Sequence, residues 1–284
     1  MNTRTAERHR RVSRPKRGRG RSATSSHGLE MLARVGFTAR GVVYILIGVL
    51  AIAIARGKAA PEADRTGALQ AIAGESYGRL VLWLLVIGFA AMALWRFAQA
   101  LYGVHGRSAH SGAERALAFG RGVLYTVFFV GTLKFVLDRQ LPASTNQQSH
   151  DFTVQAMAHT GGRVLVGVVG VAIVLAGLYL IKTGATRSFV EDLNLSGAGK
   201  RTRETVEMLG VVGNIARGLV FGMIGVFLVD AAVRYDASKA KGIDATLRSF
   251  AHTPLGPWLL VAVAVGFVLF GGYSMCEARW HRGI

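Results

Sequence analysis

The sequence is built from long apolar blocks separated by short polar stretches. Residues 80–95, 164–181 and 249–276 contain no Asp, Glu, Lys or Arg. Within these blocks the apolar residues do not alternate with polar ones at helical spacing, as they would on a helix facing water. Because lipid offers no partner for an unpaired backbone amide, each block predicts a membrane-spanning helix of about 20 residues.

Three further apolar blocks alternate with these, and each has fewer residues before a charged residue interrupts it. Residues 41–55 are uncharged, whereas the block from residue 122 stops at Lys134 and the block from residue 218 stops at Asp230. The pattern therefore predicts an all-α integral membrane protein with six transmembrane helices. We place them near residues 36–55, 79–101, 117–137, 163–182, 211–233 and 257–278.

A two-helix unit recurs three times along the chain. Residues 30–41 (Glu-Met-Leu-Ala-Arg-Val-Gly-Phe-Thr-Ala-Arg-Gly) correspond to residues 207–218 (Glu-Met-Leu-Gly-Val-Val-Gly-Asn-Ile-Ala-Arg-Gly), and residues 121–125 (Arg-Gly-Val-Leu-Tyr) preserve the end of the motif. The second helix of each unit begins at a Gly 38 to 41 residues after the Arg, and an aromatic residue follows 17 residues later. These positions are Gly78, Gly162 and Gly256, then Trp95, Tyr179 and Tyr273.

The repeated unit resembles the bacterial family called domain of unknown function 1206. The resemblance rests on Ala-Arg-Gly-Val-Val-Tyr at residues 39–44, on Tyr-Gly-Arg-Leu at residues 77–80, and on the three copies in register. It covers about residues 30–280. It implies a six-span membrane protein without an established activity, so it assigns no functional residues.

The repeats also predict how the helices are arranged. Each repeat contains two spans, so all three hairpins have the same orientation and a pseudo-threefold axis along the membrane normal can relate them. Transporters built from inverted repeats need an axis in the membrane plane instead. We divide the chain into a tail at 1–27 and hairpin repeats at 28–107, 108–200 and 201–284.

The positive charge of the chain fits a membrane topology. The formal net charge is +18, and residues 1–27 carry nine Lys or Arg against one Glu. We expect this tail to be disordered and to contact anionic lipid headgroups; nucleic-acid binding is the weaker alternative. With cytoplasmic termini, 23 Lys and Arg fall inside and 10 outside, which predicts that both termini lie in the cytoplasm. The resemblance to a bacterial family implies that the membrane is the bacterial inner membrane.

Arg40, Arg121 and Arg217 are the recurrent charged residues, and each is followed by a Gly. In the structural interpretation, each side chain reaches the headgroups or pairs with a preceding acid, while the Gly lets another helix approach. Those acids are Glu30, Glu114 and Glu207. In the functional interpretation, the three guanidinium groups form a ring around an anionic ligand.

Lys134 and Asp230 each lie 13 residues after the Arg of their repeat, so they occupy equivalent positions. A charge in hydrocarbon is costly and should have a partner. One hypothesis pairs each with the opposite charge four residues later, Asp138 or Arg234. The other pairs Lys134 with Asp230 across the bundle.

Small residues such as Gly218 and Gly222 favour close helix packing. Short apolar patches at 68–73, 154–158 and 247–251 predict interfacial turns of helix on the outer leaflet. The lone Cys276 is expected to serve packing.

The sequence contains no recognisable enzyme, cofactor or metal-binding motif. We therefore expect a non-enzymatic scaffold or envelope component that contacts anionic lipid, with self-association as a further candidate interaction. The alternative is a small-solute or ion transporter or channel with a central path between the three hairpins. A polar axis would favour transport, whereas an axis filled with Leu, Val and Phe would oppose it.

Overall fold

The computed structural model describes residues 22–102, 112–251 and 256–281, which form mostly α-helix. The long helices are α1 (Ser22–Ala55), α3 (Gly78–Tyr102), α4 (Gly112–Asp138), α6 (Gly162–Thr186), α7 (Lys200–Arg234) and α9 (Gly256–Trp280), and the short ones are α2 (Arg65–Ala73), α5 (Thr145–Met157) and α8 (Ile243–Ala251). Two 3₁₀ turns, Ser188–Asp192 and Ala237–Lys239, complete the helical elements of the described residues.

The six long helices are apolar enough and long enough to cross a membrane, which confirms the predicted fold class. Two of them begin more than ten residues before the predicted spans, since α1 starts at 22 rather than 36 and α7 at 200 rather than 211. Helix α7 starts at Lys200, where ion pairs four residues apart, such as Arg203 with Glu207, support a helix beyond the bilayer. Helix α1 starts at Ser22, before the end of the predicted tail at residue 27. Residues 1–21 lie outside the described part of the chain.

The short helices lie in the loops opposite the start of α1 and the end of α9. We call that side the distal face, and the side where α1 begins and α9 ends the terminal face. The apolar patches are helical as expected. Those in the first and third loops pack into the bundle, whereas Val154 of the second patch is exposed. Ala68 and Leu69 of α2 are fully buried, and Leu247 of α8 is buried as well, because these helices pack into the bundle.

Helix packing follows the pseudo-threefold symmetry of the repeats. The second long helix of each repeat packs against the first long helix of the next repeat: α3 against α4, α6 against α7, and α9 against α1. Within repeats, α1 packs on α3 and α7 packs on α9. The contact between α9 and α1 joins the last repeat to the first, so the bundle is a ring that is open between α4 and α6.

Glycine allows the closest approaches in this ring. Gly41 lies against Gly271 where α1 meets α9, and the equivalent Gly218 lies against Gly177 where α7 meets α6. In each pair, a Cβ added to one glycine would come within 2.8 Å of the other's carbonyl oxygen. These two helix pairs therefore pack backbone against backbone, as small residues allow in a membrane.

Replacing Gly218 by Ala should destabilise the bundle, because the new methyl would lie 2.7 Å from the Gly177 carbonyl oxygen. Overpacking of this kind costs about 1–3 kcal/mol. Thermal unfolding of the detergent-solubilised protein measures the effect. Gly222→Ala is the matched control, since a methyl there would meet nothing within 4 Å. Equal melting temperatures for the two variants would contradict this interface.

Candidate functional site

Arg40 forms a buried ion pair with Glu277 where α1 meets α9. Its Nε donates to the Oγ of Ser274 at 3.0 Å, and its guanidinium lies 4.7 Å from the ring centre of Phe37. The Arg40 and Glu277 side chains are only 11% and 12% exposed. Arg40 therefore does not extend to the headgroups.

Arg217 is held by aromatic rings near the same level of the bundle. Its Nε donates to the hydroxyl of Tyr44 at 3.2 Å, and its guanidinium lies 4.0 Å from the ring centre of Phe270. The ring of Phe270 also lies 5.2 Å from the guanidinium of Arg40. One aromatic ring thus stands between two of the three recurrent arginines.

The predicted pairing of these arginines with a preceding acid was wrong. Glu30 lies 4.0 Å from Arg34, and Glu207 accepts from Arg203 at 3.0 Å. The acid and the recurrent Arg are ten residues apart in these two repeats, which is about 15 Å along a helix. A four-residue spacing brings the closer cation into reach instead. The side chain of Glu114 lies outside the described part.

Arg121 differs from its two counterparts because its side chain is exposed. The three recurrent arginines therefore do not form a ring of equivalent groups. The physical reason is that the residues beside each recurrent Arg differ. These residues lie 18 and 21 positions after the Gly that begins the neighbouring second helix. Those positions hold Ser274 and Glu277 beside Arg40, Arg96 and Gln99 on the helix beside Arg121, and Leu180 and Thr183 on the helix beside Arg217. Within this set of equivalent positions, a carboxylate stands only beside Arg40.

Arg96 is a charged residue near the end of α3 that the sequence analysis did not assign to the site. Its Nη1 donates to the Oε1 of Gln99 at 2.8 Å, and its guanidinium lies 4.4 Å from the ring centre of Trp95. Its buried Nε has no hydrogen-bond partner among the described residues. Arg96 also lies within electrostatic reach of Arg121.

Glu277 is the centre of this group. It interacts electrostatically with Arg40, Arg96 and Arg217. We call Arg40, Arg96, Arg121 and Arg217 around Glu277 the arginine cluster. The sequence signal for Arg96 and Glu277 was present, since each is a charged residue near the end of an otherwise apolar second helix.

The positive charge of the cluster affects the protonation of His281. Its imidazole packs against the rings of Phe37 and Trp95, with centroids 5.0 and 5.2 Å away. Burial, together with Arg96 and Arg40, lowers the pKa of His281 to about 4. The imidazole is therefore neutral at neutral pH and adds no cation to the cluster.

Lys134 and Asp230 do not pair across the bundle, so that hypothesis was wrong. The carboxylate of Asp230 accepts from Nε of Arg234 at 2.7 Å, which is the local pairing. Lys134 is exposed and has no ion pair within 4 Å in the part of the chain that the structure describes. The reason is the ring order: α4 packs on α3, whereas α7 packs on α6 and α9.

A second polar group joins the three loops at the distal face. Asp64 caps α2 by accepting from the Gly67 amide at 2.9 Å, and its other oxygen accepts from the Thr145 amide at 2.7 Å. In the next loop, Oδ1 of Asn146 accepts from the amides of Gly242 and Ala245 at 3.0 and 3.1 Å.

The third loop bonds back to the first, so that all three loops are connected. Oδ1 of Asp244 accepts from the amide of Ala63, beside Asp64, at 2.8 Å, and its Oδ2 accepts from Nε of Arg248 at 2.8 Å. Asp64 and Asp244 are 0% and 3% exposed. We call Asp64, Thr145, Asn146 and Asp244 the distal ring. Sequence reasoning missed it because each member looks like an ordinary loop or helix-capping residue.

A cleft of about 480 Å³ lies beside the distal ring, between the start of α2 and residues 141–147. Glu62 lines it, and burial raises the pKa of this carboxyl, helped by Asp64 and Asp244. On the inner side, the guanidinium of Arg65 lies 4.5 Å from the ring centre of Phe128. Burial lowers the pKa of Arg65 to about 10, so it stays charged at neutral pH.

The space between the arginine cluster and the distal ring is apolar. Three of the long helices contribute Leu, Ile, Val and Phe side chains that are all buried in one cluster: Val43, Ile47 and Leu50 of α1, Val220, Ile224 and Leu228 of α7, and Leu260, Val263 and Phe267 of α9. Within residues 22–102, 112–251 and 256–281, no three His, Cys, Asp or Glu side chains converge as metal ligands.

Replacing Glu277 by Gln should destabilise the protein strongly, because Arg40 would remain buried without its counter-ion. Removing one partner of a buried pair costs about 3–5 kcal/mol. Glu30→Gln is the control, since the more exposed pair with Arg34 should contribute at most about 1 kcal/mol. Thermal unfolding in detergent separates the two, and a Glu277→Gln variant as stable as Glu30→Gln would contradict the importance of the pair.

Replacing Asp64 by Ala should loosen the distal face. It removes the acceptor of the Gly67 and Thr145 amides, and each buried amide left unpaired costs about 1–3 kcal/mol. Hydrogen exchange at α2 and residues 143–146 should accelerate in this variant. Asp236→Ala removes an exposed carboxylate that caps Ser238, and should leave those amides protected. Unchanged exchange in Asp64→Ala would argue against the distal ring.

Comparison with known proteins agrees with the repeat. The family described as Domain of Unknown Function (DUF1206) matches residues 35–103, 116–187 and 212–281, which fall on α1–α3, α4–α6 and α7–α9. The chain is 30% identical over 256 residues to "Uncharacterized protein YxxB" of Bacillus subtilis (strain 168), covering 89% of this chain and 92% of that protein. No solved structure matches it. The resemblance seen in the sequence is thus confirmed, and the chain belongs to the DUF1206 family, whose unit it contains three times.

Proposed function

We propose that this multi-pass membrane protein is a closed, non-enzymatic bundle that serves as a scaffold or envelope component and contacts anionic lipid. The observation that carries the proposal is the apolar packing between the arginine cluster and the distal ring. Side chains such as Val43, Ile224 and Phe267 occupy the region where a permeation path would run. Moving an ion through such packing would require a large rearrangement of the helices.

The distal ring supports the same proposal. Its carboxylate and amide groups form hydrogen bonds between loops. Asp64 accepts from Thr145, Asn146 accepts from Gly242, and Asp244 accepts from Ala63. A solute leaving the bundle at this face would have to break several of these buried bonds. Similarly, the Glu277 carboxylate is engaged by Arg40, which supports a structural rather than a catalytic role.

We further propose that the protein lies in the bacterial inner membrane with its terminal face in the cytoplasm. The beginning of α1 and the end of α9 share one face, and Lys and Arg are more numerous on that side. The basic residues before α1 would then lie near the anionic headgroups of the cytoplasmic leaflet. In this proposal the tail binds lipid rather than nucleic acid, and self-association remains an additional proposed interaction.

A transporter is the second candidate, and the arginine cluster is the observation that favours it. Arg40, Arg96 and Arg217 surround the Glu277 carboxylate in the half of the bundle next to the terminal face. An anionic solute would be attracted to such a group. Transport would then require the apolar layer and the distal ring to open.

A cysteine-accessibility experiment distinguishes the two candidates without a known substrate. After Cys276→Ala, single cysteines replace Val43 and Ile224 in the interior, and Gln70 at the exposed distal surface. Permeabilised membranes are treated with a membrane-impermeant thiol reagent. We expect Gln70→Cys to react and the two interior cysteines to stay unmodified. Labelling at both interior positions in the folded protein would refute the closed bundle and favour transport.

A further inference from the structure

The second hairpin of the ring is open, unlike the first and third. In the first repeat Ala39 of α1 lies against Gly88 of α3, and in the third Ala216 of α7 lies against Gly266 of α9. These contacts occupy equivalent positions and close their hairpins. In the second repeat the same positions hold Gly120 of α4 and Ala172 of α6, with the small residues exchanged.

This exchanged pair does not meet. A Cβ added to Gly120 would find nothing within 4 Å, and Ala172 is exposed. Over the residues that the structure describes, α4 and α6 do not pack along each other. Only 17% of each of these two spans is buried, against 39–50% for the other four. A wedge therefore opens between α4 and α6.

The wedge includes the terminal halves of both helices. Between residues 115 and 124, the buried positions of α4 are Ala118 and Gly122, and Gly122 faces Phe97 of α3. In the last part of α6, the buried positions are Gly177 and Gly184, and both face α7. The terminal halves of α4 and α6 thus contact their outer neighbours and leave the space between them open to the bilayer.

Arg121 is a charged residue of α4 within this region, and the other, Arg115, donates to the carbonyl oxygens of Ala100 and Leu101 of α3. Tyr125, one turn further along α4, packs against the ring of Phe89 and lies near Arg40 and Arg96. Residues four apart share a helix face, so Arg121 lies on the side of α4 that meets the cluster. Its position explains its exposure, because α6 does not cover it.

The charges around this position do not balance. Arg40, Arg96, Arg121 and Arg217 stand against Glu277 and the nearby Asp192, with His281 neutral. Two positive charges are left over in the part of the bundle that enters the membrane. Such charges are costly in hydrocarbon unless an anion compensates them.

We propose that the wedge between α4 and α6 binds one acidic phospholipid, whose phosphate contacts the exposed guanidinium of Arg121. Guanidinium groups bind phosphate through charge-assisted hydrogen bonds, often two at a time. The acyl chains lie along exposed apolar residues of both helices, such as Val127 and Leu175. This site deepens the lipid contact of the proposed function, but it does not require the bundle to be closed.

Charge and surroundings favour a lipid over the other occupants. The exposed cations in the terminal halves of the two helices are Arg115, Arg121 and Lys182, so two wedges facing each other would repel. The opening also lies between two membrane spans, where phospholipid is the abundant anion. The proposed orientation places it in the cytoplasmic leaflet, which carries acidic lipids.

Native mass spectrometry of the delipidated, full-length protein tests the proposal. Phosphatidylglycerol is titrated in parallel with phosphatidylcholine, whose headgroup carries no net charge. We expect one tightly bound phosphatidylglycerol and at least about tenfold weaker binding of phosphatidylcholine. Arg121→Gln should weaken phosphatidylglycerol binding by about tenfold, whereas Arg139→Gln, at the distal end of α4, should leave it unchanged.

The other outcomes overturn the proposal. Equal affinities for the two lipids, or equal effects of the two substitutions, would exclude a specific phosphate contact at Arg121. Displacement of phosphatidylglycerol by millimolar inorganic phosphate would indicate a soluble anion, and a lipid-independent dimer lost in Ala172→Phe would indicate a second copy. Because Arg121 is exposed, Arg121→Gln should keep the wild-type melting temperature, which separates lost binding from lost folding. Interior cysteine labelling bears on the closed bundle alone, so the two proposals can fail separately.

Discussion

The contact between α9 and α1 is the interaction on which the rest of the structure depends. It joins the third repeat to the first and so turns a row of three hairpins into a ring. Two features make it specific: the backbone approach of Gly41 to Gly271, and the buried pair of Arg40 with Glu277. The glycines set the distance between the helices, while the ion pair penalises any other register because it would leave a charge unpaired.

The three repeats share a frame but have diverged at the positions that decide their contacts. Two of the three interfaces between repeats use glycine against glycine, at Gly41 with Gly271 and at Gly177 with Gly218. At the equivalent level, Gly122 instead meets the ring of Phe97. The same arginine position has a carboxylate in one interface and another arginine nearby in a second. Differences of this kind make one sector of the ring looser and more positive than the others.

Much of the fold followed from the sequence, because apolar length and repetition are properties of the chain alone. The six spans, their grouping into three repeats and the family were all accessible in this way. The site was less accessible from the sequence. Recurrence pointed to Arg40 and Arg217, but their partners Glu277 and Tyr44 come from other repeats, and no local spacing reveals them. The short helices were misplaced for a similar reason, since the apolar face of α2 packs against the bundle rather than lipid.

The pair formed by Arg40 and Glu277 has a consequence for biogenesis. The two residues are 237 positions apart, so α1 enters the bilayer long before its partner helix has been made. At the usual speed of synthesis, about 5–20 residues per second, the delay is roughly 12 to 47 seconds. During that time the arginine of the nascent span needs a substitute for its carboxylate, which the insertion machinery, a headgroup or water must provide. The ion pair can therefore form only after the last helix has been made.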